Sequence, residues 1–465
     1  MPRPDPDTTT RLLDAVHTHA ARYLHGLDAR PVRATAASEQ LRAALNGPLP
    51  DEGADPVAVV DTLARDADAT MTATTSARYF GFVTGGALPA AMAADMLAAV
   101  WDQNAAMHVG GPLAATAEEV VRTWLVELLG LPADASLGLV TGGQMANTTA
   151  LAVARHHLLA AVGRDVERDG LAGGPPVTVV AGAERHSTVD RGMRFVGLGG
   201  RPVPVDVDDN GAMRSGALAD VLDGIEGPVI VCAQAGNVNT GALDPVGAIC
   251  DVAHGHGAWV HVDGAFGLWA ACSPRLRRHI AGIDRADSWA VDAHKWLNVP
   301  YDSGMVFTAH PASHTAATGT DPAQASYLAF DDEARDAMQW TPEASRRARG
   351  FAVWAALRSL GRTGVVTTVD RCCAMASRFA ERLAAEPGIT IHNDVVLNQV
   401  LVGFDDVDAH AVAAAVQREG TCWMGGTTWR GRRLLRISVS NWQTDTSDVD
   451  RSVEAIMAGY RAMRS

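Results

Sequence analysis

The sequence is nearly without lysine: of 39 basic residues in a chain of 465, Lys295 is the one lysine and the other 38 are arginine. On a surface the two cations exchange at little cost, but a guanidinium stays protonated and cannot condense with an aldehyde as an amine does. Drift toward arginine codons leaves the same count by chance, so the neighbours of Lys295 must decide whether chemistry kept it. Positive charge is scarce altogether. Against 53 acidic residues the net charge is −14, which excludes the basic face that a nucleic acid or an anionic membrane requires. No apolar run reaches the roughly 18 residues of a membrane span, and no basic, then apolar, then small-residue segment opens the chain, so a cytoplasmic protein is expected. Six cysteines, at 232, 250, 272, 372, 373 and 422, lack the paired spacing of a zinc site and the density of a disulfide scaffold. They read as reduced core thiols with no metal among them; adjacent Cys372 and Cys373 fall in an expected helix.

What is present is the material of a large α/β enzyme. Apolar residues make up 47% of the chain, enough for a sizeable core. Helical periodicity marks Arg11 to Leu24, Ala90 to Val100 and Ala115 to Leu129, the last closed by Gly130 and Pro132. Between Leu137 and Phe307 short apolar runs alternate with helical stretches: Leu137 to Val140, Val177 to Ala181, Val229 to Ala233, Trp259 to Val262, Ser288 to Val291 and Gly304 to Phe307. Such alternation predicts a largely parallel sheet with ligands at the carboxyl ends of its strands. A long surface loop is expected over His310 to Thr341, then a helix from Ser345 to Leu360 ending at Gly361. The division that follows is an N-terminal helical arm over 1–78, a large α/β domain over 79–344 and a smaller α+β domain over 345–465.

Nearly every polar candidate falls just after one of those runs. Asp263 stands at the end of a buried strand, where a carboxylate needs a cation or else caps the next helix. A protonated pyridine nitrogen is such a cation, and pyridoxal phosphate acts as an electron sink while that nitrogen keeps its proton. The next strand ends in Asp292-Ala-His294-Lys295-Trp296, bringing the amine to the same edge. His294 suits the cofactor phosphate or a substrate carboxylate, or is a hydrogen-bonded core histidine. Leu139 to Asn147 reads as a strand, a glycine turn and a helix start, where open N–H groups favour a phosphate. His186 also follows a strand, placed to stack on a ring or to serve as a turn residue.

At these residues the chain resembles the group II pyridoxal-phosphate decarboxylases, over roughly Arg78 to Asp450. The matches are Thr141-Gly-Gly-Gln-Met-Ala-Asn147, His186-Ser, Gly241-Ala-Leu-Asp-Pro245, His261-Val-Asp-Gly-Ala-Phe-Gly267 and His294-Lys-Trp296. The resemblance implies the fold type I architecture of the aspartate-aminotransferase-like enzymes, with Lys295 holding pyridoxal phosphate covalently. It further implies that Asp263 pairs with the pyridinium, His186 stacks on the ring, Ala265 lies under its other face, and Thr141, Gly143, Gln144 and His294 cradle the phosphate. Asp292 stands where many relatives carry asparagine, and an anionic side chain there would repel phosphate. Tyr327 matches a loop tyrosine that returns a proton to the α-carbon; relatives with phenylalanine at that place tend to be aldehyde synthases. The family's homodimers place their sites at the subunit interface, so Tyr79 to Phe82 and Asn104 to His108 are expected to line the partner's pocket. Arg436 matches a carboxylate-binding arginine or is a structural ion-pair residue. The implied activity is decarboxylation of an L-amino acid, aromatic first and acidic second. An oxidative aldehyde-forming or an aldolase-type enzyme of the same fold is the alternative, and a binding protein that lost turnover is the third reading.

Overall fold

The computed structural model describes residues 5–320 and 334–464. Seven short strands form the main sheet: β1 (Ser136–Val140), β2 (Thr178–Gly182), β3 (Val203–Val205), β4 (Val229–Gln234), β5 (Trp259–Asp263), β6 (Ser288–Asp292) and β7 (Gly304–Thr308). Their order is β1-β7-β6-β5-β4-β2-β3, with β7 antiparallel to both neighbours and the remaining pairs parallel. β1, β4, β5, β6 and β7 are buried along their full length, which is why each reads as a continuous apolar run rather than an alternating one. β3 escaped the sequence reading because Pro204 interrupts it. A proline is tolerated there since β3 is the outermost strand.

Where β1 forms the opposite edge, arginines replace an eighth strand. The carbonyls of Ala135, Leu137 and Leu139 accept from Arg122, Arg335 and Arg346 respectively. Arg346 is fully buried and pairs with Glu118 at 2.7 Å. That attachment corrects the helix expected from Ser345: Arg346 is bound to the sheet edge while Arg347 and Arg349 bond Asp95 and Asp302, and the helix runs Gly350–Ala384 with its break at Gly361 (φ 59°). The expected loop from His310 also holds a helix, Pro311–Thr318, whose buried His314 bonds Ser136 at 2.8 Å. Its alanines and threonines carry no apolar period, so sequence alone left it unmarked. Tyr327 lies outside the described residues.

Beyond the long helix a second, antiparallel sheet forms in the order β10-β11-β9-β8, from β8 (Ile389–Ile391), β9 (Gln399–Phe404), β10 (Gly425–Trp429) and β11 (Arg432–Ser438). All six cysteines are free and buried, and burial pushes the Cys250, Cys272, Cys373 and Cys422 thiols up to about 12. Among the described residues no helix is long and apolar enough to cross a membrane.

Candidate active site

β1, β5 and β6 point the same way, so the residues that follow them gather at one edge, with Val140, Gly304 and Asp292 aligned in a single register row. Gly304 lets the turn after β1 approach: a Cβ there would meet the Gly142 backbone at 2.4 Å. The helix Gly143–Ala161 therefore begins directly against the ends of β6 and β7, without a side-chain cap. Its free N–H groups face a cleft of about 380 Å³ lined by Gly143, Gln144, His186, Asp263, Ala265, Asp292 and Lys295. Seven of the predicted cofactor residues thus share one cavity. Thr141 is exposed and His294 is buried behind the wall, its Nδ1 accepting from the Ser303 N–H at 3.2 Å.

Asp263 is nearly buried, and its environment explains how a carboxylate is kept there. Asn147 Nδ2 donates to its Oδ2 at 3.0 Å, Thr188 Oγ lies 3.4 Å from the same atom, and the Ala265 N–H reaches Oδ1 at 3.3 Å. Behind Asn147 stand His261 (Nε2 to Asn147 Oδ1, 2.9 Å), Ser288 (Oγ to His261 Nδ1, 2.9 Å) and Trp259 (Nε1 to Ser288 Oγ, 2.9 Å). Both ends of this chain fix its direction. The indole can only donate and the ionised carboxylate can only accept, so every link donates toward Asp263. Burial holds His261 neutral, its pKa down at about 4. Sequence reading passed over Asn147, Thr188 and His261 as site residues; the available signal was a polar side chain inside an apolar strand and one turn into the helix.

His186 caps the next helix, accepting the Thr188 N–H at Nδ1 (3.3 Å), which leaves the ring proton on Nε2. Burial pulls its pKa below the ordinary histidine value, partly opposed by Asp263 and reinforced by Lys295. A neutral, flat ring at the wall of a cleft suits stacking. Lys295 Nζ lies 3.1 Å from Asp292 Oδ2, while Asp292 Oδ1 is buried with no hydrogen-bond partner. The lysine turn is held by Asn298, in the left-handed region (φ 54°), whose side chain accepts from the Gly86 and Trp442 N–H groups and donates to the Trp296 and Ser440 carbonyls. Gly85 packs so closely beneath that a Cβ would meet the Lys295 carbonyl at 2.0 Å.

Phe82 is exposed and packs beside Trp423. It lines the cleft of its own chain, carried there by two successive left-handed residues, Phe82 (φ 53°) and Val83 (φ 58°), a conformation that costs about 1–3 kcal/mol each. Tyr79 and Phe80 turn inward instead, onto Trp423 and Phe379. Arg436 on β11 also reaches the cleft; among the described residues it meets no carboxylate, and its hydrogen bond is a long one to the Val238 carbonyl at 3.4 Å. Asn104 and His108 lie outside this cleft, and Asn104 lines separate surface hollows.

An amine, a held carboxylate, a flat neutral ring and an uncapped helix start together fit a phosphorylated heteroaromatic aldehyde. Comparison with known proteins points the same way. The aromatic-L-amino-acid decarboxylase of Bacillus atrophaeus is 31% identical over 61% of this chain, a match spanning 58% of that enzyme's own length. The phenylacetaldehyde synthase of Petunia hybrida is 25% identical over 96% of this chain and 93% of that protein. The crystal structure of Oryza sativa TDC with PLP and tryptamine has the same fold, with a TM-score of 0.90 at 23% identity and all of both chains covered. The family profile described as the pyridoxal-dependent decarboxylase conserved domain matches residues 39–405. Since that span takes in all seven strands of the main sheet and the turns that build the cleft, the chain belongs to the pyridoxal-dependent decarboxylase family, whose cofactor is pyridoxal phosphate.

Proposed function

We propose that this chain removes the α-carboxylate of an L-amino acid and releases the amine, with an aromatic amino acid as first choice of substrate and an acidic one second. The observation that carries the reading is one cleft holding both the sole lysine and a buried carboxylate fed by a directed hydrogen-bond chain. Pyridoxal phosphate, when bound, draws the electron pair of the broken bond into its protonated ring. On this reading Lys295 holds the cofactor covalently, Asp263 keeps the ring nitrogen protonated, and His186 and Ala265 bracket the ring. Gly143 and Gln144 meet the phosphate at the helix start, with Thr141, Asp292 and His294 around it. Tyr327 returns the proton.

Arg436 supports that order of substrates. Among the described residues it is the cleft's one arginine and has no acidic partner, so it suits the α-carboxylate and leaves no second arginine there for an acidic side chain, whereas Phe82, Val238 and Phe266 offer apolar contact. The chain acts as a homodimer, with 1–78 as the dimer-forming arm, 79–344 as the cofactor domain and 345–465 as the small domain. Met96, Leu97, Val100 and Trp101 expose an apolar face that supports this reading, and Asn104 and His108, which follow it in sequence, are the residues proposed to reach the partner's cleft. A monomeric mass in solution with full activity would remove that part. Buried free thiols suit a cytoplasmic location, which fractionation of the source cells tests.

The decisive test incubates the purified protein with a panel of amino acids and follows amine, aldehyde, carbon dioxide and oxygen. Amine and carbon dioxide in equal amounts are expected, fastest with an aromatic substrate. Aldehyde with oxygen uptake would instead make it an oxidative enzyme like the Petunia relative, and carbon–carbon cleavage without carbon dioxide an aldolase-type lyase. No turnover, with no borohydride-trapped adduct on Lys295, would leave a binding protein.

A further inference from the structure

Resting on the reading of this cleft as a pyridoxal-phosphate site, a second inference concerns Asp292. Its carboxylate is 2% exposed, closed in by the helix start (a Cβ on Gly143 would lie 2.9 Å from Oδ2) and by the turn after β5, whose Ala265 carbonyl accepts the Asp292 N–H at 2.8 Å. The titratable groups that face it are Lys295 at 3.1 Å, His294 at 3.5 Å and, across the cleft, His186. Gly143, Ala265 and Gly304 present none. Burial pulls both histidines toward the neutral form, so the one cation balancing Asp292 is the Lys295 ammonium. Asp292 Oδ1 makes no hydrogen bond, its nearest polar neighbour being His294 Nε2 at 3.5 Å.

Covalent attachment of the aldehyde takes Lys295 away from that pairing, and the same event brings a phosphate to the helix start beside Asp292. Two anions in one buried site cannot both keep full charge; one of them gains a proton. A phosphate monoester in water at neutral pH is mostly the dianion, with a second pKa of about 6. We infer that this protein takes up one proton from solvent with the cofactor phosphate, and that Asp292 and the phosphate share it, the orphaned carboxylate oxygen being the place where that hydrogen bond forms. Asparagine at 292 would donate an N–H to the dianion and need no such proton. Cofactor loading is thereby coupled to pH by a single side chain: binding that consumes one proton weakens about tenfold for each unit that pH rises.

The experiment titrates the apo-protein with pyridoxal phosphate and with unphosphorylated pyridoxal, reading the visible absorption band from about pH 7 to pH 8.5. Pyridoxal makes the same bond to Lys295 without the phosphate, so protons moved by that bond cancel in the comparison. The expected result is a dissociation constant for pyridoxal phosphate that climbs more steeply than that for pyridoxal by about tenfold per pH unit. The excess slope should vanish in Asp292→Asn, with tighter binding of pyridoxal phosphate at pH 8.5. Equal slopes for the two aldehydes in the wild-type protein would overturn the inference, even if the variant failed to fold. An excess slope that survives in Asp292→Asn would overturn it too, moving the proton to His294. Absence of any absorption band with either aldehyde would instead bring down the underlying cofactor assignment.

Discussion

A single residue's chemistry in this cleft depends on what stands behind it. Lys295 is an amine among arginines, but Asp263 is a buried carboxylate whose oxygens need donors. Asn147 supplies one, backed by His261, Ser288 and Trp259. Substituting His261→Phe fills the volume but leaves Asn147 Oδ1 without its donor and the Ser288 hydroxyl proton without its acceptor, at a cost of about 1–3 kcal/mol of stability. Because the lost support acts on Asp263, turnover should fall about tenfold or more while Lys295 still forms its borohydride-trappable adduct. Unchanged kcat in steady-state assays would show that the hydrogen-bond chain is scaffolding alone.

At the level of elements, the site exists because a helix begins where three strands stop. Gly304 on β7 and Gly142 before the helix touch backbone to backbone, so the helix start proposed to meet the phosphate is held by the absence of two side chains. Gly304→Ala would drive a methyl into the Gly142 backbone, destabilising the fold by about 1–3 kcal/mol and displacing the helix start. Cofactor affinity should weaken several-fold by spectroscopic titration, whereas Gly216→Ala, in open space within a helix, should leave it unchanged. Equal affinity in the two variants would mean that the cradle is set elsewhere. The apolar runs that became β1, β2 and β4 to β7 were legible in advance because fully buried strands need nothing but apolar residues. The 345–349 segment was not, since Arg346 sits there for the carbonyl of Leu139 and the carboxylate of Glu118, both more than 200 positions away in the chain.

For the whole molecule, buried histidines set the response to acid. Burial holds His261 down at about 4 and His314 at about 3, so between the unfolded value near 6.5 and those values the unfolded chain binds protons that the native state refuses. Stability is therefore undiminished above about pH 6.5 and lost as pH falls below it. Asp244 works in the opposite sense: pushed up to about 6 by burial, it becomes easier to accommodate as pH drops. Two histidines outweigh one aspartate, giving a net loss of about 2–4 kcal/mol from pH 7 to pH 4.5. Urea midpoints at the two pH values measure it, and a midpoint that held steady or rose would mean that the histidines are not neutral in the native state.

The sequence by itself determined which groups were available: one amine, a carboxylate ending an apolar strand, a glycine turn opening a helix, and a histidine after each of two strands. These are local facts, written in residue type and period, and they were enough for the fold and the family. Tertiary structure alone decided which groups meet. Asn147 lies 116 positions from the carboxylate it holds, and Arg436 enters the cleft from a different sheet. The Asp292 oxygen left without a hydrogen bond is likewise a property of everything packed around it. Hydrogen bonding and burial are relations between distant segments, and no periodicity along a chain encodes them.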